Sequence, residues 1–360
     1  MQMKQPASSR YWPRLVPIRI RSRARSSREA LRRRTKTREV FCLLLARPRS
    51  VTLHAIVVGN PADEHASAVG LAAERVGVMA SYIDASTMSA SRWRWSDGRF
   101  EFFTDTGWSA PSAGWVRRLA PPGEHRETVL GSRAAAETSA RLCLLAGLEA
   151  TTIKWLTPQS RLMLAENKLV QYATATELGL PVPMTAVVTR SRDLPDGLGD
   201  PVVFKPLGIG DFETGGVSYA VHANLLRRND PLLGALSAAP FIAQGRVDAD
   251  EHLRIVTVRD RGWVCRLPAN GLPLDWRQED EAHTSWVESN HPDTVASAIK
   301  LAGALGLGYS SQDWIVDRAG VAHFVDANPA GQWLFLPEPI ASMVTDAIAL
   351  WLRDTCAEPA

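Results

Sequence analysis

Asp313, Asp326 and Asn328 are the side chains of this chain best suited to chemistry, two carboxylates and a carboxamide within a short C-terminal stretch. They sit in YSSQDWIVDRAGVAHFVDANPAGQW, residues 309–333. Asp313 to Asp317 is β-branched and aromatic, Arg318-Ala-Gly320 supplies a turn, and Val321 to Val325 reads as a returning strand. The hairpin carries one carboxylate on each arm. Asn328 follows Asp326 by two residues, so in extended backbone both side chains leave the same face. Such hard oxygen donors suit Mg²⁺ bridging nucleotide phosphates. Pro329 cannot donate to a ladder and should end the strand. The plainer reading of the same stretch is a surface hairpin closing in a polar turn.

Two lysines far upstream bear on that choice. Lys205 ends the apolar strand Pro201-Val-Val-Phe-Lys-Pro206, where a buried ammonium needs a partner and a phosphate would serve. Leu207 to Gly216 follows directly, and Gly208, Gly210, Gly215 and Gly216 make four glycines in nine positions. A flap of that composition lets backbone amides approach phosphate oxygens closely; a long hairpin loop is the alternative. It is not a P-loop, because the lysine precedes the glycines and no G-K-[ST] follows. Lys168 stands near the start of a helical pattern over Ser160 to Leu180, which Gly179 and Pro181 close. Alone it reads as a surface lysine.

The elements that must position these groups begin at Val51. Val51 to Val58 reads as a buried strand, Glu64 to Val76 as a helix ending near Gly77, and Val78 to Ile83 as the next strand. This is a β-α-β opening, without the G-x-G-x-x-G of a dinucleotide site. Tryptophan-rich, hairpin-like segments follow at Trp93–Phe103 and Trp108–Arg118, then a helical pattern over Ala134–Leu148. The run Trp115-Val-Arg-Arg-Leu119 reads either as an anion-facing strand end or as solvated arginines. Pro183–Thr189 reads as a strand. Phe241 to Val247 is a short strand, Asp248 to Glu251 an acidic turn, and Leu253 to Val258 a strand bearing Arg254. A turn at Asp260–Gly262 precedes a strand over Trp263–Leu267. Asp275-Trp-Arg277 lies between that strand and a helix over Thr294–Leu305, closed by Gly306. Ile340 to Leu352 reads as a terminal amphipathic helix.

At 360 residues the chain exceeds one ordinary domain, and two or three lobes are expected. Its four cysteines form no C-x-x-C pair, which argues against a disulfide framework or zinc site and fits a reducing cytoplasm. No run approaches the roughly 18 apolar residues of a membrane span. Residues 1–50 carry fifteen Lys or Arg against Glu29 and Glu39. Removing these from the 41 basic and 38 acidic residues of the whole leaves 26 and 36, a formal charge of −10 for 51–360. The basic segment is expected to be disordered. A nucleic-acid tail, a targeting peptide and a start codon placed too far upstream are competing readings of it. No aromatic interleaving supports the nucleic-acid reading.

The order of features resembles the ATP-grasp fold: strand-Lys205, Gly-rich flap, short hinge strand, Arg254, then Asp313 and Asp326-x-Asn328. Several strings narrow the likeness: Ala165-Glu-Asn-Lys168, Phe-Lys205-Pro-Leu-Gly208, Leu253-Arg254-Ile-Val-Thr-Val, Asp275-Trp-Arg277 and Asn328-Pro-Ala-Gly-Gln-Trp333. They resemble ATP-grasp ligases that mature ribosomal peptides, the graspetide synthetases including the microviridin type, and Trp115-Val-Arg-Arg resembles a motif late in that family's N-terminal domain. The resemblance covers about residues 51–355. It implies an α/β (α+β) chain: a basic extension at 1–50, an N-terminal α/β (pre-ATP-grasp) domain at 51–155, and ATP-grasp lobes at 156–247 and 248–355.

It implies an enzyme that uses ATP and Mg²⁺, two ions, to activate a peptide side-chain carboxylate and close ω-ester or ω-amide crosslinks. Lys168, Lys205, Gly208, Gly210, Gly215 and Gly216 would hold the phosphates. Gln244, Gly245, Arg246 and Val247 would form the adenine hinge. Glu251 would accept the ribose, with His252 competing for that alignment. Asp313, Asp326 and Asn328 would bind the metal, and Arg254 and Arg277 would face the transferred phosphoryl group. The partner would be a precursor peptide, leader plus core; a homodimer is also suggested. Two positions depart from the family pattern: Gly245 stands where Glu follows Gln, and Asp326 stands where Glu is usual. A carboxylate–amine ligase adding an amino acid, and an ATP-binding module without chemistry, are the competing readings.

Overall fold

The computed structural model describes residues 53–84, 92–96, 98–118, 140, 143–208, 211–214, 217–220, 222–238 and 240–358. The backbone alone is described for 211–214 and 217–220, and likewise for 235–238. The basic segment 1–50, most of the helical pattern Ala134–Leu148, and Gly210, Gly215 and Gly216 lie outside the described residues.

The chain opens with β1 (Leu53–Val58), α1 (Glu64–Arg75) and β2 (Val78–Ile83), and β1 pairs with β2 in parallel. Asp63 caps α1, accepting from the amides of His65 and Ala66, and Gly77 at φ +84° ends the turn beyond it. The unbroken apolar run of β1 has a clear cause. Ala55 and Val57 enter the core beneath α1, while Ile56 and Val58 enter a second core with Phe100 and Phe102. A parallel strand covered on both faces needs no polar alternation.

Next come β3 (Trp93–Ser96), β4 (Arg99–Thr104) and β5 (Gly107–Ser109), an antiparallel sheet in that order. The segment Trp108–Arg118 is not a hairpin: β5 pairs with β4, whereas β6 (Ala113–Val116) joins β1 in parallel. β7 (Lys154–Trp155) extends the first sheet to the order β2-β1-β6-β7.

The helical stretch expected over Ser160–Leu180 is two helices, α2 (Gln159–Ala165) and α3 (Lys168–Glu177). Asn167 adopts extended backbone, and its side chain accepts from the Leu169 amide, so it starts a new helix rather than continuing the old one.

Two antiparallel sheets follow. β8 (Thr185–Val188), β9 (Val202–Pro206), β12 (Asn224–Leu226) and β13 (Phe241–Gly245) form a sheet in the order β12-β9-β13-β8. Between β9 and β12 the Gly-rich run folds as a hairpin of β10 (Asp211–Thr214) and β11 (Val217–Ala220). The larger sheet comprises β14 (Ala249–Val258), β15 (Arg261–Pro268), β16 (Val287–Glu288), β17 (Tyr309–Asp317) and β18 (Ala322–Asn328), ordered β16-β15-β14-β17-β18. Asp250 and Glu251 lie within β14 rather than in an acidic turn, because the strand begins at Ala249 and pairs there with Asp317. β18 ends at Asn328, directly before Pro329.

Alternation along these strands separates core from cleft. Leu253, Ile255, Trp314 and Phe324 pack with Ala298, Leu301 and Ala302 of α4 (Pro292–Ala304) and with Tyr172 of α3. Val202, Phe204, Phe241 and Ala243 pack with Leu194, Leu198 and Leu233. The opposite faces, carrying Arg254 and Asp313 on one sheet and Val203 and Lys205 on the other, look onto the same space. The C-terminal helix α5 (Ile340–Ala357) packs with α1 against the first sheet. Among the described residues no helix is long and apolar enough to cross a membrane.

Candidate active site

The strand register assembles the site. Arg254 pairs with Asp313 across β14 and β17, and Asp313 pairs with Asp326 across β17 and β18. Directly paired residues share a face, so one guanidinium and two carboxylates stand in a row. Just beyond, the register shifts: Trp314 pairs with Phe324, leaving Val325 as the extra residue of a bulge.

Ion pairs tie the row together. Arg254 Nη1 lies 3.0 Å from Asp313 Oδ1, and Arg277 Nη2 lies 2.6 Å from Asp313 Oδ2. Arg277 Nη1 also reaches Asp275 Oδ1 at 3.2 Å. Lys168 Nζ donates to Asp326 Oδ1 at 2.5 Å. Burial opposes the charge of Asp313, yet Arg254 and Arg277 outweigh it and hold the carboxyl below the usual range. Burial lowers the Arg254 pKa, with Asp313 pulling the other way. Trp276 and Phe335 give the two guanidiniums aromatic surfaces, 5.1 Å from Arg277 to Trp276 and 5.5 Å from Arg254 to Phe335.

Lys205 faces this cluster from β9 and makes no ion pair or hydrogen bond among the described residues. Burial pushes its pKa down to about 8, against the upward pull of Asp326. The cluster thus sets four cations, Lys168, Lys205, Arg254 and Arg277, against three carboxylates, Asp275, Asp313 and Asp326. An unpartnered ammonium in a cleft with surplus positive charge is a seat for an anion.

The cleft itself lies between the two antiparallel sheets and opens to solvent. Its walls combine apolar Pro183, Val203, Val247, Ile315 and Val325 with charged Lys205, Arg277 and Asp313. That combination suits a heterocycle joined to phosphates.

The other expected residues divide between the cleft and its surroundings. Gln244 and Gly245 line the cleft, but Gln244 Nε2 donates to Thr185 Oγ1 at 2.8 Å and the Gly245 amide to the Met184 carbonyl at 2.8 Å. Arg246 is exposed beyond the end of β13, and Val247 lines the wall. Glu251 is not on that wall. Its carboxylate lies 3.1 Å from His291 Nε2 and 3.8 Å from Arg266 Nη1, because its position in β14 faces away from that of Arg254. His252, one residue on, lines the cleft instead, and burial lowers its pKa. Gly208 stands at the root of the flap with open space where a Cβ would be. Asn328 is exposed at the end of β18, and its Oδ1 accepts from the Ala330 amide at 2.9 Å.

Sequence reasoning missed His222. Its Nδ1 lies 3.1 Å from Asp275 Oδ2 and joins the residue just after the flap to the Asp275–Arg277 loop. No local pattern marks a contact between residues so far apart in the chain. Of the apolar wall residues, Val247 is legible as part of the hinge, whereas Pro183, Val203, Ile315 and Val325 read as strand and not as site.

The donors fit a divalent cation. Asp313 Oδ1 is buried and, despite its ion pair, accepts no hydrogen bond; Asp326 stands opposite it, and Asn328 keeps a second lone pair. Among the described residues no group of three or more His, Cys, Asp or Glu competes as a metal site.

No family profile matches the chain, and no curated protein matches it. Solved structures do. A Chryseobacterium gregarium RiPP-associated ATP-grasp ligase, solved with ADP and a leader and core peptide, superimposes with a TM-score of 0.72 at 19% identity, covering 84% of this chain and 97% of that one. The macrocyclase MdnC of Microcystis aeruginosa, bound with precursor peptide MdnA, gives 0.69 at 20% identity over 84% and 100%. The ATP-grasp ligase PsnB, complexed with a minimal precursor, Mg and ADP, gives 0.65 at 18% identity over 84% and 98%. This chain therefore has the fold of these ligases.

Proposed function

We propose that this ATP-grasp chain is an ATP-dependent ligase that activates a side-chain carboxylate of a ribosomal precursor peptide and closes ω-ester or ω-amide crosslinks within it. The observation that carries the reading is the unpartnered Lys205 ammonium, facing two paired carboxylates and three further cations in a cleft with both apolar and charged walls. The relatives solved with leader and core peptides, ADP and Mg support the choice of substrate. In this reading residues 51–155, 156–247 and 248–355 are the N-terminal domain and the two grasping lobes, and the protein works in the cytoplasm.

The chemistry follows from charge. A carboxylate must attack a polyanion, so the site has to supply positioning and neutralisation of charge. Lys168, Lys205, Arg254 and Arg277 would neutralise the phosphates and the charge that develops in transfer. Asp313, Asp326 and Asn328 would hold Mg²⁺, which supplies further neutralisation of phosphate oxygens when bound. Phosphate oxygens would draw Lys168 and Arg277 from the carboxylates they now touch.

One oxygen of the substrate carboxylate attacks the γ-phosphorus, and ADP leaves. A hydroxyl or amine of the same peptide then attacks the acyl carbon and loses its proton. Inorganic phosphate departs with that carboxylate oxygen. The flap over residues 207–216 would exclude water, which otherwise hydrolyses the acyl phosphate.

Mass spectrometry of a candidate precursor incubated with the protein, ATP and Mg²⁺ tests this reading. Loss of one water per bond closed, abolished by Lys205→Ala, is the expected result. A mass gain equal to an added amino acid would replace it with a carboxylate–amine ligase. ADP binding without any mass change across precursors rich in Thr and Asp or Glu would favour a module without chemistry.

A further inference from the structure

Two side chains of the first α/β unit, His65 and Arg117, reach the segment that follows Asn328. Arg117, just after β6, is 1% exposed. Its Nε donates to Asp63 Oδ1 at 2.9 Å, and its Nη1 donates to the Ala330 carbonyl at 2.5 Å. The same Asp63 oxygen accepts from the His65 and Ala66 amides, each at 3.0 Å, and so is fixed to the start of α1. His65 Nε2 accepts from the Trp333 amide at 3.1 Å and the Leu334 amide at 3.3 Å. An accepting Nε2 places the proton on Nδ1. Burial first, then the nearby Arg117, push this imidazole down to about 3, so it stays neutral in its accepting role.

The carbonyls between these contacts are also held. Tyr309 Oη donates to the Gly331 carbonyl at 2.9 Å, and Ser311 Oγ to the Gln332 carbonyl at 3.4 Å. Each residue from Ala330 to Leu334 therefore has a backbone group fixed by a side chain, in a stretch with no strand ladder to do it. The chain of contacts ends at Asn328, whose side chain accepts from Ala330.

Burying a guanidinium is costly, and Arg117 Nη2 has no hydrogen-bond partner among the described residues. An apolar side chain would fasten the two units at lower cost, so the directional contact to Ala330 is the informative feature.

We propose that Asp63, His65 and Arg117 are a positioning unit, by which the first α/β unit sets the orientation of Asn328 and hence the divalent-cation site of the β17–β18 hairpin. The proposal rests on the nucleotide-and-metal reading of the cleft. Groups bonded directly to a metal ligand typically change metal affinity about 10- to 100-fold when removed, and Arg117 acts one contact further out, through Ala330.

Calorimetric titration of the full chain with ADP, with and without Mg²⁺, tests it. Wild type should bind ADP more tightly with Mg²⁺. Arg117→Ala should bind metal-free ADP as wild type does and lose up to about tenfold of the Mg²⁺ enhancement. Amide exchange at residues 330–334 should quicken while β14 and β15 keep their protection.

Arg117→Lys keeps the charge but cannot span Asp63 and Ala330 with one ammonium. It should show the same selective loss, and it carries the comparison if the alanine variant does not fold. An unchanged Mg²⁺ enhancement in the variants, or ADP weakened equally with and without Mg²⁺, would overturn the proposal while leaving the cleft reading intact. A wild type that binds no ADP, or binds it indifferently to Mg²⁺, would remove the premise and the proposal with it.

Discussion

Lys168 Nζ meets Asp326 Oδ1 at 2.5 Å, though 158 positions separate them and one opens α3 while the other stands near the end of β18. The pairing neutralises one lysine of the cleft and leaves the other, Lys205, without a partner among the described residues. That asymmetry gives the free protein one ready anion seat and makes it sensitive to the protonation of a single ammonium.

Lys205 should therefore impose a pH dependence near 8. Its pKa is lowered from 10.5 to about 8, chiefly by burial. Because the folded value lies below the unfolded one, the unfolded chain binds more protons in that window, and stability rises as pH rises from about 8 towards 10.5. ADP affinity runs the opposite way, falling as pH climbs through 8 and the ammonium is lost. Lys205→Arg should flatten the affinity profile, since a guanidinium stays charged. Calorimetry on either side of that pH checks the sign.

Removing Asp313 should cost more than a surface carboxylate. Arg254 is buried, and Asp313 is its only ion-pair partner among the described residues. Breaking a buried pair from one side typically costs about 3–5 kcal/mol. Urea denaturation of Asp313→Ala should show a loss of that order, and adding Arg254→Met should recover part of it.

The two candidates for the ribose should separate cleanly. Glu251 is turned towards His291 and Arg266, while His252 lines the cleft. Glu251→Ala should leave ADP affinity within a factor of two or so, whereas His252→Ala should weaken it by roughly fivefold, the worth of one hydrogen bond. Equilibrium titration of both variants decides, and the reverse ranking would return the role to Glu251.

What was legible in the sequence was local. The β17–β18 hairpin follows from β-branched runs around Asp317–Gly320, and the lysine at the end of β9 stands out because an ammonium closing an apolar strand lacks a reason of its own. The break between α2 and α3 was within reach as well: Asn167 is a good N-cap residue, but the apolar pattern running through it suggested one helix. Arg117 was not legible. Its run read as facing an anion or solvent, and its actual partners, Asp63 and Ala330, lie on elements that meet only after the first sheet packs against α1 and the large sheet. The choice between Glu251 and His252 was not legible for a related reason. A period of two places adjacent residues on opposite faces, and sequence alone left open which of Glu251 and His252 the register turns towards the cleft.

The most direct test of the central claim is isotopic. A precursor peptide carrying heavy oxygen in its Asp and Glu side-chain carboxylates would be incubated with the protein, ATP and Mg²⁺, and the released phosphate analysed by mass spectrometry. Activation through an acyl phosphate predicts one heavy oxygen in each phosphate formed, matched one for one by ADP and by water lost from the peptide. Phosphate without label, alongside a crosslinked peptide, would contradict carboxylate activation and, with it, the role assigned to Lys205 and the charged residues of the cleft.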